Sequence, residues 1–300
     1  MEVATQIIPI PRKDVTLCIR REDLVDPLVP GNKFRKLKYN LIQAKAENHT
    51  RLLTFGGAFS NHIAAAAAAG AREGLETIGI IRGEELSTAI SKNPTLSFAA
   101  GCGMRFKFIS RETYRDKGNP EFVKQLGEQF GDFYLIPEGG TNALAVKGCE
   151  EILTAADFDF DYICCAAGTG GTAAGIINAT AEKQNVLVFP ALRGDFPAND
   201  IAKFTSKSNW QLVSGYEFGG YAKVNNELIN FINQFYRDTK VPLDPVYTGK
   251  MLFGVMDLIN SGYFADGAKI LAIHSGGLQG IKGMNDQLKN KNYPLIEIDV

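Results

Sequence analysis

The chain has 300 residues, 45% hydrophobic and 22% charged, which suits one large or two ordinary globular domains with a sizeable core. Its 32 basic and 33 acidic side chains leave a net charge of −1. That balance argues against a nucleic-acid groove or an anionic membrane surface as the main partner and points to a small molecule.

The N-terminal stretch MEVATQIIPIPRKD lacks the basic-then-apolar layout of a secretory signal, and no apolar run reaches membrane-spanning length. The expectation is a cytoplasmic protein. The five cysteines form no C-x-x-C pair and there are only three histidines, so no metal site is expected. Cys164 and Cys165 lie in an apolar run and read as reduced core residues.

The first distinctive stretch is PGNKFRKLKYNLI, starting at Pro30. Asn32 reads as an N-cap, and Phe34, Leu37, Leu41 and Ala44 recur as one buried helical face requires. Lys33, Arg35, Lys36 and Lys38 then crowd the helix end where the dipole is positive. Each exposed cation there costs about 0.3–1 kcal/mol. The cluster asks for a negative or electrophilic partner.

RLLTFGG reads as a strand, followed by a helix in SNHIAAAAAAGAREG. Ser60 or Asn61 caps that helix, and the alanines favour helicity and close packing. Its free N–H groups suit a carboxylate, and Ser60 adds a hydroxyl. An ordinary cap on a packed helix explains the same residues, and His62 reads as a capping-turn residue. ETIGIIRG, RFKFIS and DFYLIPEGG read as strands, separated by helices near Pro94–Gly101 and Pro120–Gly131. TNALAVKGCEEIL is helical, and DYICCAAGTGG feeds a helix in TAAGIINATAEKQ. NVLVFPALRG and WQLVSGYEF read as strands. NNELINFINQFYRDT places Leu228, Ile229, Ile232, Phe235 and Tyr236 on one helical face, and KILAIHSGG is the last strand. This βαβ rhythm means parallel sheets covered by helices, and without a linker the two domains must be packed closely or interleaved.

Several of these strands end in glycine-rich turns, at Gly56-Gly57, Gly139-Gly140, Gly168 to Gly171 and Gly276-Gly277. Ligands of open α/β sheets bind beyond the carboxyl ends of the strands, so the turns suggest a cleft lined from more than one sheet. In Gly168-Thr169-Gly170-Gly171-Thr172 a strand opens into a helix, an anion seat whose usual guest is a phosphate monoester. No G-K-[ST] follows, so it is not a P-loop. Gly168, Gly170 and Ala173 also fit the G-x-G-x-x-A of a dinucleotide-binding dehydrogenase, with Asp195 later than the spacing of about 20 residues expected for its acidic partner. A plain strand-to-helix turn is the third reading.

Taken together, GNKFRKLKYNL, FGGAFSNHIAAAAA, PEGGTNALAVKG, AAGTGGTAAG, DPVYTGKMLFG and IHSGG resemble the pyridoxal-phosphate enzymes of the tryptophan-synthase β fold, fold type II. The nearer resemblance is to the family of 1-aminocyclopropane-1-carboxylate deaminase and D-cysteine desulfhydrase. It implies two open twisted parallel-sheet α/β domains with pyridoxal 5'-phosphate in the cleft between them. The larger domain would comprise residues 1–45 and 150–300, and an inserted domain of residues 46–149 would carry the Ser-Asn loop. Lys33 would form the Schiff base with the cofactor. Gly168, Thr169, Gly170, Gly171 and Thr172 would hold the phosphate, and Lys36 would either join them or lie solvated at the surface. Asn61 would bond the ring hydroxyl oxygen, Ser60 the substrate carboxylate and Ser275 the pyridine nitrogen. Tyr247 and Tyr221 would reach the substrate as acid, base or hydrogen-bond donor. Arg35 and Lys38 would face solvent.

The same resemblance implies a homodimer acting on a small amino acid and giving a 2-oxo acid and ammonia. Pro30, His62 and Thr248 depart from the family pattern. Thr248 follows Tyr247 where the cyclopropane deaminases carry a glutamate, which tilts the reading toward D-cysteine desulfhydrase. The rival readings are an NAD-binding dehydrogenase and a catalytically silent amino-acid-binding protein of the same fold.

Overall fold

The computed structural model describes residues 3–12, 14–194 and 196–298, so Asp195 of the dehydrogenase alternative lies outside the described residues. From the N-terminus the elements are β1 (Thr5–Ile8), β2 (Thr16–Arg20), α1 (Asn32–Ala46), β3 (Arg51–Gly57), α2 (Asn61–Glu73), β4 (Glu76–Arg82), α3 (Pro94–Gly101), β5 (Arg105–Ile109), α4 (Pro120–Phe130) and β6 (Tyr134–Ile136). They continue as α5 (Ala143–Glu150), β7 (Tyr162–Ala167), α6 (Gly171–Ala179), β8 (Asn185–Pro190), α7 (Phe196–Ala202), β9 (Trp210–Leu212), α8 (Asn226–Thr239), α9 (Thr248–Asn260), β10 (Lys269–Ile273) and α10 (Gly280–Lys289).

The strands form a six-stranded sheet, β1-β2-β10-β7-β8-β9, and a four-stranded sheet, β5-β4-β3-β6. All neighbours run parallel except β1 and β2. Leu271 lies between Cys18 and Ile163 in the larger sheet, and Thr54 between Gly79 and Ile136 in the smaller. Central strands such as β7 and β8 are apolar on both faces because helices cover both sides. On one face of the larger sheet Leu17, Leu187 and Ile270 meet Ile232, Val255 and Ile281 of α8, α9 and α10. On the other, Ile163 and Val186 meet Cys149 of α5 and Ile176 of α6. The smaller sheet packs α2 and α3 through Ala66, Ala67, Leu96 and Ala99, and α4 through Leu126.

Three features differ from the sequence reading. The hairpin of β1 and β2 was not anticipated, because β1 is a short edge strand with Ile7 in solvent. WQLVSGYEF forms a strand only over Trp210–Leu212, since Gly215, Phe218, Gly219 and Gly220 all take positive φ, which no ladder accommodates. Arg35, expected in solvent, is buried: its guanidinium makes a two-point ion pair with the buried Glu22 at 2.9 Å and 2.9 Å. Lys38 does face outward and pairs with Glu151 at 2.7 Å.

Helix α1 follows the first two strands of the larger sheet, yet Leu37, Leu41 and Ala44 pack with Leu52, Ala65 and Ala69 of the smaller layer. On its other flank it lies tightly against α5. A Cβ on Gly148 would overlap the Arg35 carbonyl, so α1 and α5 touch backbone to backbone. Among the described residues no helix is long and apolar enough to cross a membrane.

Gly148→Ala is expected to lower stability by about 1–3 kcal/mol through overpacking, read as a lower urea midpoint with an unchanged m-value.

Candidate active site

The turn before α1 is set by Gly31, which caps the helix at φ +66°. A Cβ there would overlap the Ser275 carbonyl, so only glycine lets the start of α1 approach the end of β10 so closely. Asn32 is not the cap. It is the first helical residue, and its side chain donates to Thr172 Oγ1 at 2.8 Å while accepting from Lys33 Nζ at 2.8 Å. Burial, with the positive charge of Lys36 nearby, brings Lys33 down to about 7.

Lys36 is not a surface lysine. It is 2% exposed, and Nζ donates to the Gly139 carbonyl at 2.9 Å and Thr141 Oγ1 at 2.8 Å, with Thr169 Oγ1 at 3.5 Å. Burial lowers it to about 8. Its position ties the cations of α1 to the glycine turn between β7 and α6. Gly170 caps α6 at φ +74°, Gly168 lies close under the Tyr247 ring, and Gly171 packs its backbone on Thr141. The first N–H groups of α6, the Thr169 and Thr172 hydroxyls and the Lys36 ammonium form one anion-seeking set.

Ser60 caps α2, its Oγ accepting from the N–H groups of His62 at 3.2 Å and Ile63 at 3.4 Å. Asn61 opens the helix and accepts a hydrogen bond from Gln279 Nε2, which ties the smaller layer to the segment after β10. His62 lies in the capped first turn of α2, and its ring is buried, 1% exposed. The Thr54 hydroxyl donates to the Ile136 carbonyl at 2.8 Å, so it accepts from His62 Nε2 at 2.7 Å. Burial and the two lysines hold the imidazole neutral, far below its usual range.

Tyr247 precedes α9 and owes its place to Asp244, a residue the sequence reading passed over. The buried Asp244 carboxylate accepts from the N–H groups of Val246, Tyr247 and Thr248 at 2.9, 2.9 and 2.8 Å, and from Thr248 Oγ1 at 2.7 Å. The sequence signal was an aspartate shortly before a helix-forming run. Burial pushes the Tyr247 phenol well above its ordinary value, so it keeps its proton. The Tyr221 ring stands 6.2 Å away at 66°. Ser275 follows His274, whose Nε2 donates to the Pro242 carbonyl at 2.6 Å and whose Nδ1 accepts from the Gly276 N–H at 3.2 Å. His274 and Thr141 were likewise passed over, and Asn32 was read as a cap, because Pro242, Lys36 and Thr172, to which they respectively bond, are distant in sequence.

Lys33, Lys36, Ser60, Asn61, Gly168, Thr169, Gly170, Thr172, Tyr221, Tyr247 and Ser275 line one cleft between the two sheets, and Gly171 stands behind it. The cleft offers a near-neutral amine, an anion seat and a protonated phenol. A phosphorylated aldehyde fits that donor set: its phosphate matches the glycine-threonine turn, and its carbonyl matches the Lys33 amine. Among the described residues no group of three or more His, Cys, Asp or Glu could hold a metal ion.

Residues 2–276 match the family described as pyridoxal-phosphate dependent enzyme. The bifunctional D-cysteine desulfhydrase/1-aminocyclopropane-1-carboxylate deaminase of Arabidopsis thaliana, a mitochondrial protein, is 30% identical over 91% of this chain and 75% of its own. A Pyrococcus horikoshii protein with a provisional 1-aminocyclopropane-1-carboxylate deaminase name is 30% identical over 90% of this chain and 87% of its own. The crystal structure of an ACC deaminase homologue superposes with a TM-score of 0.80 at 28% identity, covering 97% of this chain and 94% of that one.

Two outcomes are expected. Covalent loading of stripped protein with pyridoxal phosphate should accelerate as pH rises through about 7 and then level off, because the Lys33 amine is reactive only when unprotonated; stopped-flow absorbance checks this. Lys36→Ala should weaken cofactor affinity roughly 10- to 100-fold, the loss of a charged hydrogen bond, in an equilibrium titration.

Proposed function

The chain belongs to the pyridoxal-phosphate-dependent enzymes of the 1-aminocyclopropane-1-carboxylate deaminase and D-cysteine desulfhydrase family, and from that membership we propose that its preferred substrate is D-cysteine. It is a deaminase/lyase of fold type II that acts on a small amino acid. The observation that carries the assignment of roles is the Lys33 amine, lowered to about 7 and standing beside the glycine-threonine anion seat.

When bound, the cofactor withdraws electrons from the substrate's α-carbon. Lys33 would hold it covalently, and the Lys33 amine, when free, would take the substrate's α-proton. Gly168, Thr169, Gly170, Gly171 and Thr172, with Lys36, hold its phosphate. Asn61 bonds the ring hydroxyl oxygen and Ser275 the ring nitrogen. The start of α2 and the Ser60 hydroxyl bind the substrate carboxylate. Tyr247, with Tyr221 beside it, keeps a proton at its phenol oxygen for the departing thiolate, and with the uptake of one water the reaction ends in pyruvate, ammonia and hydrogen sulfide.

Thr248 supports the choice of D-cysteine. The resemblance places a glutamate there in the ring-opening enzymes. Here the threonine is fully buried and its hydroxyl is bound to Asp244. The layer of about residues 46–149 closes over substrate as a lobe, because it carries Ser60 and Asn61 while the phosphate seat belongs to the other sheet. The family resemblance supports a homodimer. Five free cysteines, four of them buried, fit a reducing cytoplasm.

Sulfide release from D-cysteine should exceed 2-oxobutanoate release from 1-aminocyclopropane-1-carboxylate by at least roughly tenfold in kcat/KM, equivalent to about 1.4 kcal/mol in barrier. Lys33→Ala should lose both activities and the visible absorption band of the loaded protein. A preference for the cyclopropane substrate would overturn the choice, and loaded protein without the band would overturn the role of Lys33.

A further inference from the structure

Tyr221 is 44% exposed and lies in an irregular segment between β9 and α8, so its position depends on what holds that segment. The backbone there is strained. Phe218, Gly219, Gly220 and Ala222 have φ of +50°, +93°, +113° and +53°, and two of these carry side chains that ordinarily avoid such values. Two consecutive turns result: Gly220 N–H donates to the Glu217 carbonyl at 2.9 Å, and Lys223 N–H to the Gly220 carbonyl at 3.1 Å.

One face of α9 grips these turns. Lys250, Phe253, Gly254 and Asp257 recur at the spacing that aligns residues along a helix. Asp257 accepts the Tyr216 hydroxyl at 2.6 Å, Gly254 leaves room for the Tyr216 ring, and the Phe253 ring meets Phe218 at 5.0 Å and 89°. Lys250 completes the stripe. Its side chain is 2% exposed, and Nζ donates to the carbonyls of Glu217 and Gly220, both at 2.8 Å. Those are the acceptors of the two turns. Burying an ammonium against neutral carbonyls is unfavourable compared with an apolar side chain filling the same space, so simple packing does not explain it. Tyr247 stands one helical turn before Lys250, so a single helix references both tyrosines.

We propose that Lys250 is a positioning residue for the reaction: its ammonium clamps the two turns around residues 217–223 and so fixes Tyr221 against Tyr247 at the mouth of the cleft. The proposal rests on the reading of Tyr221 as a residue of the site. Lys250 touches neither substrate nor cofactor; it acts through the loop.

The test uses the loaded enzyme and three variants, Lys250→Met, Lys250→Gln and Tyr221→Phe. Lys250→Met keeps the stem and removes the donors, whereas Lys250→Gln retains N–H donors. Trypsin cleavage after Lys223, followed by mass spectrometry, should be roughly tenfold faster in the Met variant and intermediate in the Gln variant. With D-cysteine, Lys250→Met and Tyr221→Phe should each lower kcat/KM, and the double variant should be no worse than the poorer single one. Cleavage at the wild-type rate in both Lys250 variants, or kinetic effects that multiply, would overturn the proposal. If the Met variant does not fold, the Gln variant carries both comparisons. Cleavage is read without turnover, so a wild-type enzyme inactive on D-cysteine would fail the proposed substrate and leave the clamp to be decided by proteolysis.

Discussion

The structure turns on an amine that, among the described residues, forms no ion pair with a carboxylate. Lys33 is brought into the cleft by α1, shares space with the buried Lys36, and among the described residues hydrogen-bonds a neutral amide, Asn32. Paired with an acid, it would hold its proton tightly and be a poor nucleophile. Buried, and with the positive charge of Lys36 nearby, it sits at a pKa from which it can both attack and accept a proton near neutrality. The carboxylate whose charge reaches it, Asp244, is committed to the start of α9, and other buried carboxylates are paired with arginines: Glu22 with Arg35, Asp23 with Arg21 and Asp157 with Arg20.

Backbone contacts maintain this arrangement. The Gly31 turn leans on the Ser275 carbonyl, and Gly148 lets α1 settle on α5. Helix α1 is therefore locked against both sheets: its apolar face packs on the smaller layer, and its first turn sits on the larger. A displaced α1 would carry Lys33 and Lys36 away from the glycine-threonine turn. The cleft thus depends on residues with no reactive group, and the buried pair of Arg35 and Glu22 fixes the rotation of the helix.

Much of the fold was legible because its signals are local. Strand runs ending in paired glycines, the alanine helix after Ser60 and the amphipathic face of α8 all follow from short-range patterns. The edge strand β1 escaped because half of its side chains are in solvent, and the segment after β9 was misread because an apolar run hid a strained loop. The residues expected at the site came together as a set only through the family's motifs, and all of them but Gly171 line the one cleft. Composition alone left the glycine turn open to three readings.

The sequence by itself determined the order of elements, the anion-seeking turn at Gly168 to Thr172 and the cation cluster on α1, because helix dipoles and glycine turns act within a few residues. Only the tertiary structure decided that Lys36 and Arg35 are buried, that Asp244 builds the turn bearing Tyr247, and that Lys250 holds the loop of Tyr221. Each of those facts depends on how neighbouring elements pack: the partners of Lys36 lie 103 and 105 residues away, and the nearer pair that Lys250 binds lies across an intervening helix. Burial and charge state are properties of the packed environment, which no run of adjacent residues specifies.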